Sequence, residues 1–279
     1  MISLFLGLAA ALGWGLHDFL VRFVSQKAET GPLLALALGS GAILLLPLTI
    51  WEGWGAVTPQ AVALATAAGA ALALASVGLY RAFMIGPVGL VAPICGAFPL
   101  GALALAWAEG RVPGAREWLA VALILGGIAL VARQPGTAQP ARGSAILWAA
   151  LAAACFALTF HLSQGAARIA GTFPATLLAR LTALVLVLAA LALRRDSLRP
   201  ALRQWRWMGL IGALDVIAIG CVTAAGRQMH PEYAAIAASS FGVVTILLAW
   251  RFLAERLRPL QAAGAALAFA GITTLAAGS

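Results

Sequence analysis

WAEGRVPGAREW (Trp107–Trp118) and RFLAERLRPLQ (Arg251–Gln261) carry the same punctuation. Each leaves a long apolar run, reaches a Glu, adds an Arg and meets a Pro four residues after the Glu. The two glutamates, Glu109 and Glu255, stand 146 positions apart, about half of the 279-residue chain. Near the middle of the chain lies RQPGTAQPARG (133–143), whose Pro, Gly, Thr and Gln mark a linker. Other marks repeat across it. Pro32 and Pro174 each open the second apolar run of their half, Pro87 and Pro231 the fourth, and Gly126–Gly127 and Gly271 fall in the fifth.

The runs between these marks are membrane spans. The chain is 63% hydrophobic, 10% charged, and has a mean hydropathy of +0.99. Soluble domains carry about 25% charged residues, so this surface is built for lipid. A helical span needs about 20 apolar residues. Ten are read: 2–23, 32–50, 60–81, 87–108, 117–132, 144–164, 174–193, 207–226, 232–251 and 260–277. They are too long for barrel strands and lack a two-residue alternation, so helices are expected. The fold expected is an all-α polytopic membrane protein in two five-helix repeats, 1–137 and 138–279. A unit with an odd number of spans ends on the face opposite its start, so the second repeat enters inverted.

Charge follows the same plan. The net charge is +9, with 17 of the 18 basic residues Arg, but these sit singly or in short groups between apolar runs. That is the bias of membrane loops, and nucleic acid is not expected as a partner. Call the face holding the N-terminus side A and the other side B. Side B receives 13 basic residues and side A four, while Arg180 falls within a span. By that count side B is cytoplasmic and both termini lie outside. The opening run MISLFLGLAAALGWG has no positive leader and continues past residue 20, so it reads as a first span. Cys95, Cys155 and Cys221 lie inside apolar runs at spacings that match no metal motif, and read as small packing residues.

The five-plus-five layout resembles the drug/metabolite transporter superfamily in its EamA-type, ten-helix branch. The repeated Glu–x–x–x–Pro after the fourth span resembles that family's local signature, fuller in ERLRPLQAAGAALAFAGI (Glu255–Ile272). LGWGLHDFLVRF resembles its Trp-Gly-containing first helix, and Arg180, six residues after Pro174, its usual Arg in the second helix of a repeat. The first half departs there and has Leu38. The resemblance implies a polytopic carrier without a cofactor, its cavity formed by helices one to four of each half, and the Arg- and Ala-rich composition points to a bacterial genome and so to an inner membrane. Within the family the aromatic amino acid exporters are the most similar in character. The family's habit places termini inside, against the charge count; both orientations stand open.

A carrier needs polar groups at depth, where ionisable residues are costly. Asp215, near the centre of span eight, is a candidate coupling carboxylate, with the proton as the candidate ion, or a clamp on a substrate amine. Its alternative is a fixed ion pair with Arg180. Counted along the helices, Arg180 lies about 9 Å and Asp215 roughly 16 Å from side A, an offset that an Arg side chain bridges in large part. Asp18 and Arg22 are i,i+4 on one helix and are expected to pair, as an interfacial pair or a gate. His17 is expected to line the cavity with Trp14, three residues away on nearly the same face. His161 has no metal spacing around it and reads as a hydrogen-bonded interior His. His230–Pro231–Glu232 reads as a helix start.

Trp14, Phe19, Tyr80, Phe83, Phe98, Phe156, Phe160, Tyr233 and Phe241 lie in spans expected to line the cavity, either stacking on a solute or packing. Trp51, Trp54, Trp118, Trp148, Trp205 and Trp207 lie at span ends as an interfacial belt. Pro93 and Pro99, with Gly96 and Gly101, should bend span four during gating. Its counterpart has Ser239, Ser240 and Gly242 instead. No GxxxxGK[ST], GxSxG or HExxH occurs. The expectation is a secondary exporter of aromatic or apolar amino acids and related metabolites; the alternatives are another class such as hydrophobic cations, an intramembrane enzyme, or a channel.

Overall fold

In a computed structural model of the protein, residues 2–110, 112–132, 140–225, 237–238, 240–255 and 257–276 are described. Among them all regular structure is helical. The helices are α1 (Ile2–Ser25), α2 (Thr30–Glu52), α3 (Pro59–Ile85), α4 (Val88–Cys95), α5 (Phe98–Ala108), α6 (Ala115–Ala132), α7 (Pro140–Ala170), α8 (Thr172–Arg194), α9 (Arg199–Leu202), α10 (Trp205–Ala225), α11 (Phe241–Phe252) and α12 (Pro259–Ala276). Among the described residues seven stretches are long and apolar enough to cross a membrane: α1, α2, α3, Val88–Leu105, Arg142–Ala170, α8 and Trp205–Val222. α11 and most of α12 are shorter apolar helices. The linker residues 133–139, His230–Pro231–Glu232, Tyr233 and Ser239 lie outside the described residues.

The helix starts follow from the sequence. Pro59 sits in the first turn of α3, where a missing N–H costs nothing, and the Thr58 hydroxyl accepts the Ala61 N–H at 3.1 Å. Pro87 is the N-cap of α4. Span four is not one bent helix. It breaks between α4 and α5 at Gly96–Ala97, with Pro93 inside α4 and Pro99 in the first turn of α5.

Contacts fix which ends meet. In the α2–α3 turn, Gly55 and Ala56 donate to the carbonyls of Ala170 and Ile169 at 3.0 and 3.1 Å. The Glu52 carboxylate accepts the Phe173 N–H at 2.6 Å, closing the first turn of α8. These ends share side A. At the other face, Arg142 near the start of α7 donates to Val131 O in α6 at 3.3 Å.

Helix pairing follows a pattern. α1 packs on α10 and α3 on α7; α2 packs on α10 and α3 on α8; α1 packs on α11, and α7 on α4 and α5. α2 also faces α8, α4 faces α11, and α6 faces α12. The last pair comes close because Gly127, Gly264 and Gly271 line the seam: a Cβ on any of them would press on backbone of the opposite helix. The main core runs through α1 to α4, with Val21, Leu33, Phe83 and Val88 fully enclosed. Outward faces are apolar, and Trp51, Trp54, Trp118 and Trp205 are exposed at span ends as an interfacial belt requires.

Candidate functional site

A cavity of about 350 Å³ lies among α1, α2, α3, α7, α8 and α10, with Cys95 at the end of α4, Phe98 at the start of α5 and Phe241 at the start of α11 reaching it. Its wall is mostly apolar and aromatic: Trp14, Tyr80, Phe98, Phe156, Phe160 and Phe241 all line it. Three pairs of rings stiffen that wall, one of them Phe156 stacked on Phe160 with centroids 6.4 Å apart. Phe98 and Phe160 have centroids 5.1 Å apart, and Trp14 meets Phe241 edge-on at 6.3 Å.

Into this wall one polar cluster is set. Arg180 on α8 donates through Nη2 to Asp215 Oδ2 on α10. The other carboxylate oxygen of Asp215 accepts the Trp14 Nε1–H from α1 at 3.0 Å. Three helices are thus joined at one carboxylate. The Arg180 side chain is only 7% exposed, while that of Asp215 is 20% exposed toward the cavity. A guanidinium so enclosed needs a counter-charge within reach, because isolated burial of a charge costs several kcal/mol. A turn further along α1, His17 Nδ1 and Asp18 Oδ1 lie 2.9 Å apart, and both line the cavity.

The lining of the cavity is buried toward one face and exposed toward the other. Toward side B its wall ends in Leu34, Tyr80 and Asp18, all buried. Toward side A it reaches Gln164, which is exposed, and Thr172, which is half-buried at the first residue of α8.

Several expectations need correction. Arg22 does not pair with Asp18. It donates to Glu255 at 2.8 Å, beyond the end of α11, and to the Phe83 carbonyl, while Asp18 takes His17. Phe83 does not line the cavity. Its ring is fully enclosed in the core, and its carbonyl is the part that is used. His161 is not an interior residue of the cavity either: it is part-exposed and meets Glu109 Oε1 at 3.1 Å. Phe19 turns away to Phe252, 6.0 Å between centroids. Pro93 and Pro99, read from the sequence as gating candidates, stand on either side of the break in span four.

The sequence also passed over Ser76, Thr159, Ser163, Gln164, Thr172 and Thr176, which all line the cavity. Thr159 and Thr176 bond their hydroxyls back to the i−4 carbonyls of Cys155 and Thr172, at 2.8 and 2.7 Å. Hydroxyls satisfied in that way sit in apolar runs without any mark.

Apolar helices crossing a membrane around an interior cavity with a polar cluster at its centre define a membrane transporter. The chain belongs to the EamA-like transporter family, whose model matches residues 1–133 and 143–277. It is therefore a multi-pass transporter of the drug/metabolite superfamily, with a small molecule as its cargo and the lipid bilayer as its solvent. A solved crystal structure shares the fold, with a TM-score of 0.66 at 18% identity, covering 98% of this chain and 95% of that one. No curated protein matches the chain.

Proposed function

We propose that the protein is a secondary carrier of the bacterial inner membrane that exports aromatic or apolar amino acids and related metabolites by alternating access. Ten spans would form two inverted five-helix repeats, 1–137 and 138–279. The helix pairing supports this. Exchanging each span with its counterpart five places on turns α1·α10 into α7·α3, α2·α10 into α8·α3, and α1·α11 into α7·α4 and α7·α5.

One observation carries the substrate reading: a joined Trp14–Asp215–Arg180 cluster in the wall of an aromatic cavity that lies between the two halves. Aromatic rings suit the side chain of such a solute, and the ionic cluster suits its charged end. A proton on Asp215 would serve as the coupling charge. A second reading, hydrophobic cations, has its own support. The cavity holds two carboxylates, Asp18 and Asp215, against one guanidinium, Arg180.

Counterflow of labelled solute in liposomes separates these readings. Saturable exchange of labelled phenylalanine or tryptophan, lost in Asp215→Asn and Arg180→Ala, is expected. Exchange of a labelled hydrophobic cation alone would favour the second reading, and exchange of neither would refute both.

A further inference from the structure

Two buried donors in the cavity wall lack an acceptor. The Tyr80 hydroxyl on α3 and the Arg180 Nε–H on α8 are both enclosed, and neither meets a partner among the described residues. Both side chains line the cavity. Tyr80 stands within electrostatic reach of Asp18 and of Arg180. A buried donor left unmet is costly and calls for a reason. A ligand bearing an acceptor supplies one, and beside a guanidinium the fitting acceptor is a carboxylate.

Asp18 on α1 offers the opposite charge. It is buried at the cavity wall. Its Oδ1 lies 2.9 Å from His17 Nδ1, the contact that a neutral imidazole makes with its proton on that nitrogen. Among the described residues no donor meets Oδ2. A carboxylate with one oxygen unclaimed at a cavity wall suits an ammonium group.

Within the repeat proposed above, these groups have no twins. Close contacts at glycines set the register. A Cβ on Gly69 would press on the Ala179 carbonyl, and one on Gly212 on the Ala37 carbonyl. A Cβ on Gly15 would press on Val244, and one on Gly101 on Ala157. Both comparisons superpose the halves at separations of 142 or 143 positions. Arg180 then matches Leu38, Asp215 matches Leu72 and Asp18 matches Phe160, all of them in the cavity wall. Each charge in one half is answered by an apolar side chain in the other. The cavity thus has a polar pole and an aromatic one, where Phe160 packs on Phe98 and Phe156.

We propose that Asp18, Tyr80 and Arg180 form a head-group site for a zwitterion. Asp18 Oδ2 takes the ammonium, and the Tyr80 hydroxyl and Arg180 Nε–H take the carboxylate. The side chain of the solute lies on Phe98, Phe156 and Phe160. This rests on the amino acid reading above and adds to it an orientation and a partner for each charge.

The test uses three probes on the full-length protein in detergent: phenylalanine, phenethylamine, which lacks the carboxylate, and hydrocinnamate, which lacks the amine. Dissociation constants are read from the rise in melting temperature on titration. Asp18→Asn keeps an acceptor for His17. It should weaken phenylalanine and phenethylamine about tenfold, the scale of one charge-assisted hydrogen bond, and leave hydrocinnamate unchanged. Tyr80→Phe keeps the enclosed ring and should do the converse. It should weaken phenylalanine and hydrocinnamate about fivefold and spare phenethylamine. It also stands in if Asp18→Asn does not fold. Probes weakened alike, or none weakened, in either variant would overturn the head-group site, as would the absence of any shift in the parent. Binding of phenethylamine alone overturns it too and favours the hydrophobic-cation reading. Selective weakening without counterflow of phenylalanine in liposomes leaves the site standing and refutes export of that solute. Counterflow of phenylalanine with unselective variants leaves export standing and overturns the site.

Discussion

Gly41 on α2 lies so close to Arg180 that a Cβ at Gly41 would overlap the guanidinium Nη1. The slot that holds the charge is made by the absence of a side chain. Gly41→Ala should therefore push Arg180 off Asp215, at about 1–3 kcal/mol for overpacking. Its apparent melting temperature in detergent should drop and transport should fall with it. Gly39→Ala is the control, since a Cβ there meets nothing nearer than Leu184 Cδ2 at 4.0 Å. Equal behaviour of the two variants would show that the slot has room to spare.

The ion pair itself separates stability from transport. Asp215→Asn leaves a buried guanidinium without its counter-charge, a loss of about 3–5 kcal/mol. Replacing both members with apolar residues, Arg180→Met with Asp215→Leu, removes that penalty, because apolar substitution of a whole buried pair is often neutral. The double variant should regain the parent's melting temperature and transport nothing. Transport at the parental rate would mean that the pair is scaffold.

Trp14 contributes a donor as well as a ring. Trp14→Phe removes the N–H that Asp215 accepts at 3.0 Å and keeps an aromatic face toward Phe241. Loss of one such bond is worth about 1 kcal/mol. The half-saturating solute concentration should rise about fivefold, the equivalent of that energy, with little change in maximal rate. Concentration series in liposomes measure both. An unchanged half-saturation would place the donor outside the substrate's reach.

What the sequence made legible followed from local marks and depth. Prolines located helix starts, and counting residues along two spans brought Arg180 and Asp215 within reach of each other. What it hid had two physical causes. First, the helices are apolar on all sides, so periodicity does not say which face turns inward. Phe83, enclosed in the core, and Phe98, on the cavity, look alike in their runs. Second, the i,i+4 rule sees only the local helix. It paired Arg22 with Asp18 and had no view of Glu255, 233 positions away. The mark was nevertheless present, because Glu255 stands in the repeated stretch that pointed to two halves.

The break in span four makes a last prediction. Gly96 and Ala97 turn between α4 and α5 on hydrogen bonds to Ala92 and Ile94, at 2.8 and 3.1 Å. Pro99 follows in the first turn of α5, where it has no N–H to give the Cys95 carbonyl four residues back. Pro99→Ala supplies that donor and removes the ring that opposes a continuous helix. Proline costs a helix interior about 3 kcal/mol, so the substitution favours joining α4 to α5. Even half of that energy, placed against a bend needed during transport, slows turnover about tenfold. The melting temperature should hold or rise while the maximal rate falls. Pro93→Ala, inside α4 and away from the turn, should change the rate much less. Equal rates for Pro99→Ala and the parent would show that the break is fixed by Gly96 and Ala97 and does not flex during transport.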